Sequence, residues 1–330
     1  MTSDAGIEPL KTVRNEAAIA IVIAARNVET FIEDTLSSVF SQTFAGFELV
    51  VVLDRSTDRT AGCVRAFADD RRMQVVEREC SGVSDARNAG LELIEAPFVV
   101  FLDGDDIMAR DALEAFLSAF RKHPDAVAVV GAHVKIDEAG HPIDGEGSTD
   151  RPGFGRGRAL EQLLRRNTIV NGGAIAMRSD IVREAGGFDI GLRQGEDWEL
   201  WCRVACRGDF ATLGQKPVLF YRQRRSSATA LVTVEIRPDD PAINKIFAIG
   251  EVHSNLSANE LKRLYRNASI SSFWARARTA LYQGQKARFV RLLLVGLWRY
   301  PDSLFKGFLL QFLLRKLRVR LGFDSTTSAG

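Results

Sequence analysis

The stretch Pro97-Phe-Val-Val-Phe-Leu-Asp-Gly-Asp-Asp106 decides the fold class of this chain. Its five consecutive apolar residues, Phe98–Leu102, form a run that is short for a helix and typical of a strand inside a parallel sheet. The run stops at four residues, three of which are acidic. We therefore predict a buried strand with a cluster of carboxylates at its carboxyl end.

Two earlier stretches have the same form. The apolar run Ala18–Ala25 ends at Arg26 and Asn27, and the run that begins at Phe47 ends at Asp54. A shorter strand is expected at 73–77, and helical patterns lie between the strands at 31–40, 58–68 and 81–94. This alternation predicts an α/β sandwich around a mostly parallel sheet, in which ligands bind beyond the carboxyl ends of the strands. We expect the polar residues at those ends to line one site.

The second half of the chain changes character near residue 236. Before it we predict strands at 126–136, 171–178 and 218–222, a helix from Gly195 to about Arg207, and a mobile loop at 144–158 over the site. After it the pattern is helical throughout. The sequence thus predicts an α/β domain over residues 1–235 and a helical extension over 236–330.

The net charge of +2 conceals an uneven distribution. Residues 256–323 carry 14 Lys and Arg against two acids, whereas the rest of the chain has 40 acidic and 30 basic residues. A basic, apolar-rich tail indicates an anionic partner such as a phospholipid surface. The alternative is a helical cap on the α/β domain with solvated charges. We favour the cap for the first helices and the membrane for residues 289–321.

Other features set the expected location. No run of 18 uncharged apolar residues occurs, so we expect no transmembrane span. The four cysteines form no Cys-x-x-Cys pair, and we expect free thiols in a reducing cytoplasm, with peripheral contact to the inner face of the cell membrane. We expect no nucleic-acid partner, and the oligomeric state stays open.

The acidic turn has the chemistry of a cation site. Asp103 and Asp105 flank Gly104, and both carboxylates can reach one hard cation such as Mg²⁺ or Mn²⁺. Glycine there would let a ligand approach closely. The alternative is helix capping, with Asp105 or Asp106 at the start of a helix near Arg110.

Three other positions offer polar chemistry near the same edge. Arg87, in a segment of small residues, can pair with a phosphate or a base, although a surface arginine is an equal alternative. Glu196 and Asp197 open a helix, whose N-terminus favours ionised carboxylates that can accept a proton; simple capping is the alternative. Asp54 can accept a hydrogen bond from an N–H of a nucleobase. The alternative is that Asp54 is only one of the acidic residues of a surface loop.

Taken in order, these motifs resemble glycosyltransferase family 2, the inverting enzymes with the GT-A fold. The resemblance covers about residues 17–230, and its motifs are specific in their joint order and spacing rather than singly. It is carried by the segments Val22–Asn27, Ser38–Thr43, Glu48–Asp58, Ser84–Gly90, Phe101–Asp106 and Gly195–Trp201. It implies a GT-A nucleotide-diphospho-sugar transferase fold and transfer of a sugar from a nucleotide-diphosphate sugar to an acceptor hydroxyl. The expected acceptor is a carbohydrate or lipid-linked sugar, in cell-surface polysaccharide or glycolipid assembly.

The resemblance also implies roles for individual residues. Asp197 would be the catalytic base, Glu196 would position the acceptor, and Asp103 and Asp105 would bracket a divalent metal. The residues expected to bind the donor nucleotide are Ala25, Arg26, Asn27, Asp54, Arg87, Asp103, Gly104, Arg222 and Arg224. Those assigned to the sugar and acceptor pocket are Gly172, Gly173 and Trp198.

The chain departs from the family pattern at one position. The family often has a metal-contacting His shortly after the Tyr-Arg pair that ends its core domain, and here Arg224 stands at about that place, after Tyr221 and Arg222. An arginine cannot bind the cation, so Arg222 and Arg224 become candidate phosphate contacts, with a solvated basic loop as the alternative. The Q-x-x-R-W motif and membrane spans of processive synthases are absent, which favours transfer of one or a few sugars.

Two other functions remain open at this point. A noncatalytic scaffold with the nucleotide-sugar fold would need none of Asp103, Asp105 and Asp197, and their joint presence argues against it. A sugar nucleotidyltransferase usually opens with a glycine-rich basic phosphate loop after the first strand, and Arg26-Asn-Val-Glu29 is not such a loop.

Overall fold

A computed structural model describes residues 17–143, 157–224, 240–254, 256–282 and 284–301. The predicted loop at 144–158 therefore lies almost wholly outside the described residues. The strands are β1 Ile19–Ala25, β2 Phe47–Leu53, β3 Met73–Glu77, β4 Phe98–Asp103, β5 Ile107–Met108, β6 Ala128–Ile136, β7 Ile175–Arg178 and β8 Phe210–Arg222. The helices are α1 Ile32–Phe40, α2 Thr60–Arg65, α3 Val83–Leu93, α4 Ala112–Lys122, α5 Ala159–Arg165, α6 Ser179–Glu184, α7 Glu196–Ala205, α8 Pro241–Ile246, α9 Gly250–Ser254, α10 Ala258–Tyr282 and α11 Lys286–Arg299.

The strands form one sheet in the order β3-β2-β1-β4-β7-β6-β8-β5. The first four run parallel to one another, β7 lies antiparallel between β4 and β6, and β8 is parallel to β6. The predicted α/β sandwich with a mostly parallel sheet is thus confirmed. Because β1, β2 and β4 are neighbours, their carboxyl ends meet at one edge, as the sequence predicts.

The apolar runs explain why these strands lie in the middle of the sheet. All seven residues of β2 are buried, as are six of the seven residues of β1 and the four central residues of β4. The helix α3 packs closely on β1, since a Cβ at Gly90 would lie 2.3 Å from Val22 Cγ1. A larger residue at position 90 would therefore push α3, and Arg87 with it, away from the sheet.

Four details differ from the sequence expectations, and one is that β8 begins at Phe210 rather than at the expected Val218. The predicted strand at 171–178 begins with a 3₁₀ turn, Gly172–Ala174, and is extended only from Ile175. This turn packs closely on β4 and leaves no room for a side chain at position 172, because a Cβ at Gly172 would lie 2.5 Å from the Phe101 carbonyl oxygen. The helix predicted to reach residue 68 ends at Arg65, and the two-residue strand β5 has too short a pattern to be predicted.

The helical tail begins as a cap on the α/β core. The proposed boundary at residue 235 lies outside the described residues, and the main hydrophobic core continues beyond it. Residues of α8, α9 and α10 belong to that core, namely Ile243, Ile246, Val252, Leu264 and Ala268. Farther along, the second half of α10 and α11 form a smaller apolar cluster of their own, around Phe273, Trp274 and Leu292.

Two further expectations concern the whole chain. All four cysteines are free thiols, as predicted, with Cys80 and Cys202 buried and Cys63 and Cys206 half-buried. Among the helices that the structure describes, none combines the length and the apolar character that crossing a membrane requires.

Candidate active site

The acidic turn after β4 gathers three carboxylates. Asp103 ends β4, and the chain folds back so that the Asp106 N–H donates to the Asp103 carbonyl oxygen at 3.2 Å. Asp103, Asp105 and Asp106 each offer a carboxylate oxygen, and these oxygens lie within 4.8 Å of one another. The capping alternative is wrong, because α4 begins only at Ala112 and carries no side-chain cap.

Asp106 holds the turn from inside. Its buried carboxylate accepts a hydrogen bond from the Arg222 backbone N–H at 2.8 Å and one from Asn171 Nδ2 at 2.5 Å. Burial, together with repulsion from Asp105 and Asp103, raises the pKa of Asp106 well above its ordinary value. Asp106 is therefore committed to the turn, and Asp103 and Asp105 are its partly exposed carboxylates.

Asn171 ties the same turn to the sheet. Its Nδ2 also approaches Asp103 Oδ2 at 3.2 Å, and its Oδ1 accepts from the Gly173 N–H at 3.0 Å. Neither Asn171 nor Asp106 is among the site residues that the sequence predicts. The available signal was their position, since Asn171 precedes two glycines and Asp106 ends the acidic run.

Arg222 and Arg224 both reach the acidic turn from β8. Arg222 is buried, and its three side-chain nitrogens donate to the Asp105 and Glu138 carbonyl oxygens and to Asp34 Oδ2, at 2.8, 2.7 and 3.1 Å. This arrangement makes Arg222 a brace of the turn, and its expected role as a phosphate contact stays a prediction. Arg224 forms an ion pair with Asp105, Nε to Oδ2 at 2.5 Å, and stays a candidate phosphate contact.

Asp103 and Asp105 have the character of cation ligands. Burial and the neighbouring Asp103 raise the pKa of Asp105 to about 6, against the opposing pull of Arg224. Carboxylates that repel one another in a desolvated turn gain from a cation between them, and hard divalent ions prefer oxygen ligands. The residues present therefore fit a divalent metal held by Asp103 and Asp105.

Arg87 joins this turn to the start of α7. Its buried guanidinium donates through Nη2 to Asp103 Oδ1 at 2.7 Å and through Nη1 to Asp197 Oδ1 at 2.9 Å. Nη1 also lies 3.4 Å from Glu196 Oε1, and the guanidinium stacks over the Phe188 ring. The three carboxylates raise the pKa of Arg87 against the effect of burial, so the side chain stays charged. Its observed contacts are thus with carboxylates, and its expected contact with a nucleobase stays a prediction.

The start of α7 presents two carboxylates to Arg87. Gly195 adopts a left-handed backbone, φ +74°, and the helix begins at the next residue without a side-chain cap. Burial raises the pKa of Asp197 to about 7, Glu196 and Asp103 add to the rise, and Arg87 opposes it. A carboxyl group that titrates near neutrality is well matched to accept a proton.

Four of the expected nucleotide-binding residues meet at the ends of β1 and β2. The Asp54 carboxylate is buried and accepts from the Cys80 N–H at 3.0 Å and from Arg26 Nη1 at 3.3 Å. Ala25 accepts the Asp54 N–H through its carbonyl oxygen at 3.1 Å. Asn27, in a left-handed conformation, accepts from the Thr57 N–H at 2.8 Å and locks the two loops together.

Four of the residues expected to bind the donor or the acceptor, three glycines and one tryptophan, are in close contact with other side chains or backbone atoms of the protein. A Cβ at Gly104 would lie 3.2 Å from Val28, and one at Gly173 would lie 2.8 Å from Leu219, while Gly172 meets Phe101. Trp198 is buried, and its indole N–H donates to the Leu163 carbonyl oxygen at 2.8 Å. The indole of Trp198 thus lies in the core beneath α7, and its expected place in an acceptor pocket stays a prediction.

Comparison with known proteins agrees with this architecture. The model of the family described as glycosyl transferase family 2 matches residues 20–186, just over half of the chain. In Escherichia coli, the UDP-Glc:alpha-D-GlcNAc-diphosphoundecaprenol beta-1,3-glucosyltransferase WfgD is 35% identical over 105 residues, which cover 32% of this chain and 42% of WfgD. The chain spans half or less of the length of the curated relatives it matches.

Two solved structures share the fold. TarS 1–349 of S. aureus in complex with UDP-GlcNAc superposes with a TM-score of 0.64 at 17% identity, covering 83% of this chain and 79% of TarS. The mannosyltransferase PcManGT from Pyrobaculum calidifontis, in complex with GDP-Man and Mn²⁺, gives 0.51 at 18% identity and covers 91% and 86%. The predicted GT-A fold with a helical C-terminal region is confirmed. Together with the family match over the strands that carry Asp54 and Asp103, these findings lead to one conclusion: the chain belongs to glycosyl transferase family 2.

Proposed function

We propose that this chain is an inverting, non-processive glycosyltransferase that moves one sugar from a nucleotide-diphosphate sugar to an acceptor hydroxyl. One observation carries the proposal. A single buried guanidinium, that of Arg87, contacts both the candidate cation turn through Asp103 and the candidate base Asp197. Transfer needs a group that receives the diphosphate within reach of one that receives the hydroxyl proton, and Arg87 brings the two together.

Asp197 is the proposed base. Its carboxylate lies at the first turn of α7, where the helix dipole and Arg87 favour the ionised form and burial opposes it. An ionised Asp197 accepts the proton of the acceptor hydroxyl as that oxygen attacks the anomeric carbon and the sugar–phosphate bond breaks. Attack from the face opposite the leaving group inverts the anomeric configuration. Glu196, beside it, positions the acceptor.

The leaving diphosphate is proposed to lie against the acidic turn. A divalent cation held by Asp103 and Asp105 would neutralise the charge that develops on the diphosphate. Arg224 supplies positive charge at the same place, since it already pairs with Asp105. Asp106, Asn171 and Arg222 keep the turn in one shape, which spares the reorganisation that would otherwise accompany transfer.

The substrates follow by analogy with the relatives. TarS is seen with UDP-GlcNAc and PcManGT with GDP-Man, while the name of WfgD specifies a diphosphoundecaprenol-linked acceptor. We propose a nucleotide-diphosphate sugar donor, with its base near Asp54, and a polysaccharide or lipid-linked acceptor at the cytoplasmic face of the cell membrane. The chemistry then belongs to the assembly of a cell-surface glycan.

Isothermal titration calorimetry tests the donor site directly. The full chain is titrated with a panel of UDP-, GDP- and dTDP-sugars, with and without Mn²⁺. We expect Mn²⁺-dependent binding of one nucleotide class, and its loss in Asp103→Ala. The matched control is Asp111→Ala, which removes an exposed carboxylate paired with Lys216 near the start of α4 and should bind as the wild type does.

The outcome separates the enzyme from its rivals. Binding of every donor without any effect of metal, or no binding by a folded chain, would move the assignment to the noncatalytic scaffold. Formation of a sugar nucleotide from a sugar phosphate and a nucleoside triphosphate would favour the nucleotidyltransferase. Once an acceptor is found, the anomeric configuration of the product, measured by NMR, tests inversion.

A further inference from the structure

The helix α11 presents an apolar stripe to solvent. Val290, Leu294 and Trp298 follow one another at intervals of four residues and therefore share one face. Their exposed fractions are 51%, 62% and 83%, which makes Trp298 the most exposed of the large hydrophobic residues of the described chain. Single exposed apolar residues are ordinary, but a stripe of three on one helix indicates a surface with a partner. These three residues are called the α11 stripe below.

The opposite face of α11 is fixed on the protein. Leu292 and Gly296 are buried against α10, and a Cβ at Gly296 would lie 2.6 Å from Phe273 and 2.7 Å from Trp274. The two helices thus meet along a seam of small and aromatic residues. This seam fixes the rotation of α11 about its axis. The α11 stripe, on the other side of the helix, therefore faces solvent.

Basic residues border the α11 stripe. Lys286, Arg291 and Arg299 are exposed, Arg288 is half-buried, and α11 contains no acidic residue. The sequence continues in the same manner, since residues 303–323 have five Lys and Arg and no acid. The charge of this region is opposite to that of the rest of the chain, which has an excess of acids.

We propose that the α11 stripe docks on an anionic phospholipid bilayer, with α11 lying in the plane of the membrane surface. The apolar side chains enter the interface between headgroups and acyl chains, Trp298 takes the headgroup level that tryptophan favours, and the flanking cations contact lipid phosphates. A second copy of the chain fits this surface poorly, because two α11 helices would bring like charges together. Residues 302–330 would add positive charge there rather than neutralise it.

This docking does not depend on the transfer chemistry proposed above. Its elements lie in the smaller apolar cluster of α10 and α11, whereas the candidate site lies at the edge of the sheet. The two proposals can therefore fail separately. Vesicle binding should be unchanged in Asp197→Asn, and donor binding measured by calorimetry should be unchanged in variants of the α11 stripe.

The single exposed tryptophan provides the measurement. Trp198, Trp201 and Trp274 are buried, so quenching by aqueous iodide and any shift on lipid addition report mainly on Trp298. Full-length protein is mixed with vesicles of phosphatidylcholine alone or of phosphatidylcholine with phosphatidylglycerol, and binding is measured by cosedimentation. We expect binding to the anionic vesicles only, weakened by salt, with a blue shift and loss of quenching that Trp298→Phe abolishes.

Leu294→Glu tests the apolar stripe, and Ile190→Glu is its matched control. Both residues are 62% exposed, so each change places a carboxylate on a comparable solvated position, but Ile190 lies on the loop before α7. We expect Leu294→Glu to lower vesicle affinity at least about tenfold, from the lost apolar burial, and Ile190→Glu to bind as the wild type does.

Three results would overturn the proposal. The first is that the wild-type chain does not bind anionic vesicles, or that Leu294→Glu and Ile190→Glu weaken its binding equally. The second is Trp298 already shielded from iodide in the free monomer, which would assign the stripe to residues 302–330. The third is a concentration-dependent dimer by light scattering that Leu294→Glu dissociates, which would assign it to a second copy.

Discussion

The turn after β4 and the first turn of α7 both present half-buried carboxylates to the buried Arg87, but the fold holds them differently. Asn171 and Arg222 brace the turn through Asp106, Asp103 and the Asp105 carbonyl oxygen, and Arg224 pairs with the Asp105 carboxylate. Asp197, among the described residues, has Arg87 as its side-chain donor. Ligands of a cation bind it best when their positions are fixed, whereas a base must exchange a proton with its substrate. The larger number of hydrogen bonds around the acidic turn than around Asp197 agrees with these two proposed roles.

Replacing the base should give the largest effect on turnover. Asp197→Asn keeps the shape of the side chain and removes its capacity to accept a proton, so we expect kcat to fall about 10²- to 10⁴-fold with donor affinity nearly unchanged. The measurement is steady-state transfer combined with calorimetry of the donor. Glu196→Gln is the control and should lose less. Equal losses in binding and turnover would show that Asp197 holds the donor rather than the proton.

Removing the link between the two regions should affect stability most. Arg87→Met leaves Asp103, Glu196 and Asp197 without their shared cation, and a buried pair broken on one side costs about 3–5 kcal/mol of unfolding free energy. Urea denaturation in metal-free buffer measures the loss. Arg87→Lys, which keeps the charge but not the forked geometry, should lose less. An Arg87→Met protein as stable as the wild type would mean that the two regions are held independently.

Weakening the braced turn alone should cost less. Asn171→Ala leaves Asp106 Oδ2 without its donor, and a buried unsatisfied acceptor costs about 1–3 kcal/mol. We also expect the Mn²⁺-dependent part of donor binding to shrink, because Asp103 loses a partner. The control is Asn88→Ala, which removes a two-way contact with Phe188 and should destabilise the chain without changing the metal dependence.

The contrast between the two regions was only partly predictable. The strands could be predicted because each is a short buried run, and their parallel order placed Asn27, Asp54 and Asp103 at one edge. The contacts of Arg87 could not, since its partners on α7 stand 109 and 110 residues away in the chain. A local pattern indicates that such an arginine exists but not which carboxylates the fold brings to it.

The bracing contacts escaped prediction for a related reason. Asn171 and Arg222 act through hydrogen bonds to Asp106 and to the Asp105 carbonyl oxygen, and the local sequence around each residue does not indicate these distant partners. The burial of Trp198, in contrast, could be predicted from the local sequence, because the helical period places Trp198 on the inner stripe of α7. That period agrees with the burial of Trp198, whereas its assignment to an acceptor pocket stays a prediction.

The smallest expected effect is a shift in the pH dependence of kcat/KM. This measurement tests only the first turn of α7, which carries the proposed base Asp197. Asp197 must be ionised to accept a proton, and its pKa of about 7 means that the protonated fraction grows as the pH falls below neutrality. We therefore expect kcat/KM to rise with pH and to level off above pH ~7, because this parameter reports the ionisation of the free enzyme.

Glu196→Gln should move that ascending limb to lower pH. The Glu196 carboxylate repels the charge of Asp197, so its removal stabilises the ionised base and lowers the pKa of Asp197. The matched control is Glu199→Gln, which makes the same change in charge on α7 at a residue paired with Arg203, and it should leave the limb in place. A limb that stays fixed in Glu196→Gln would assign it to another group, with Asp105 the first candidate because its pKa is also raised, to about 6. The inference that the acidic turn is fixed while Asp197 titrates as the base would then have to be withdrawn.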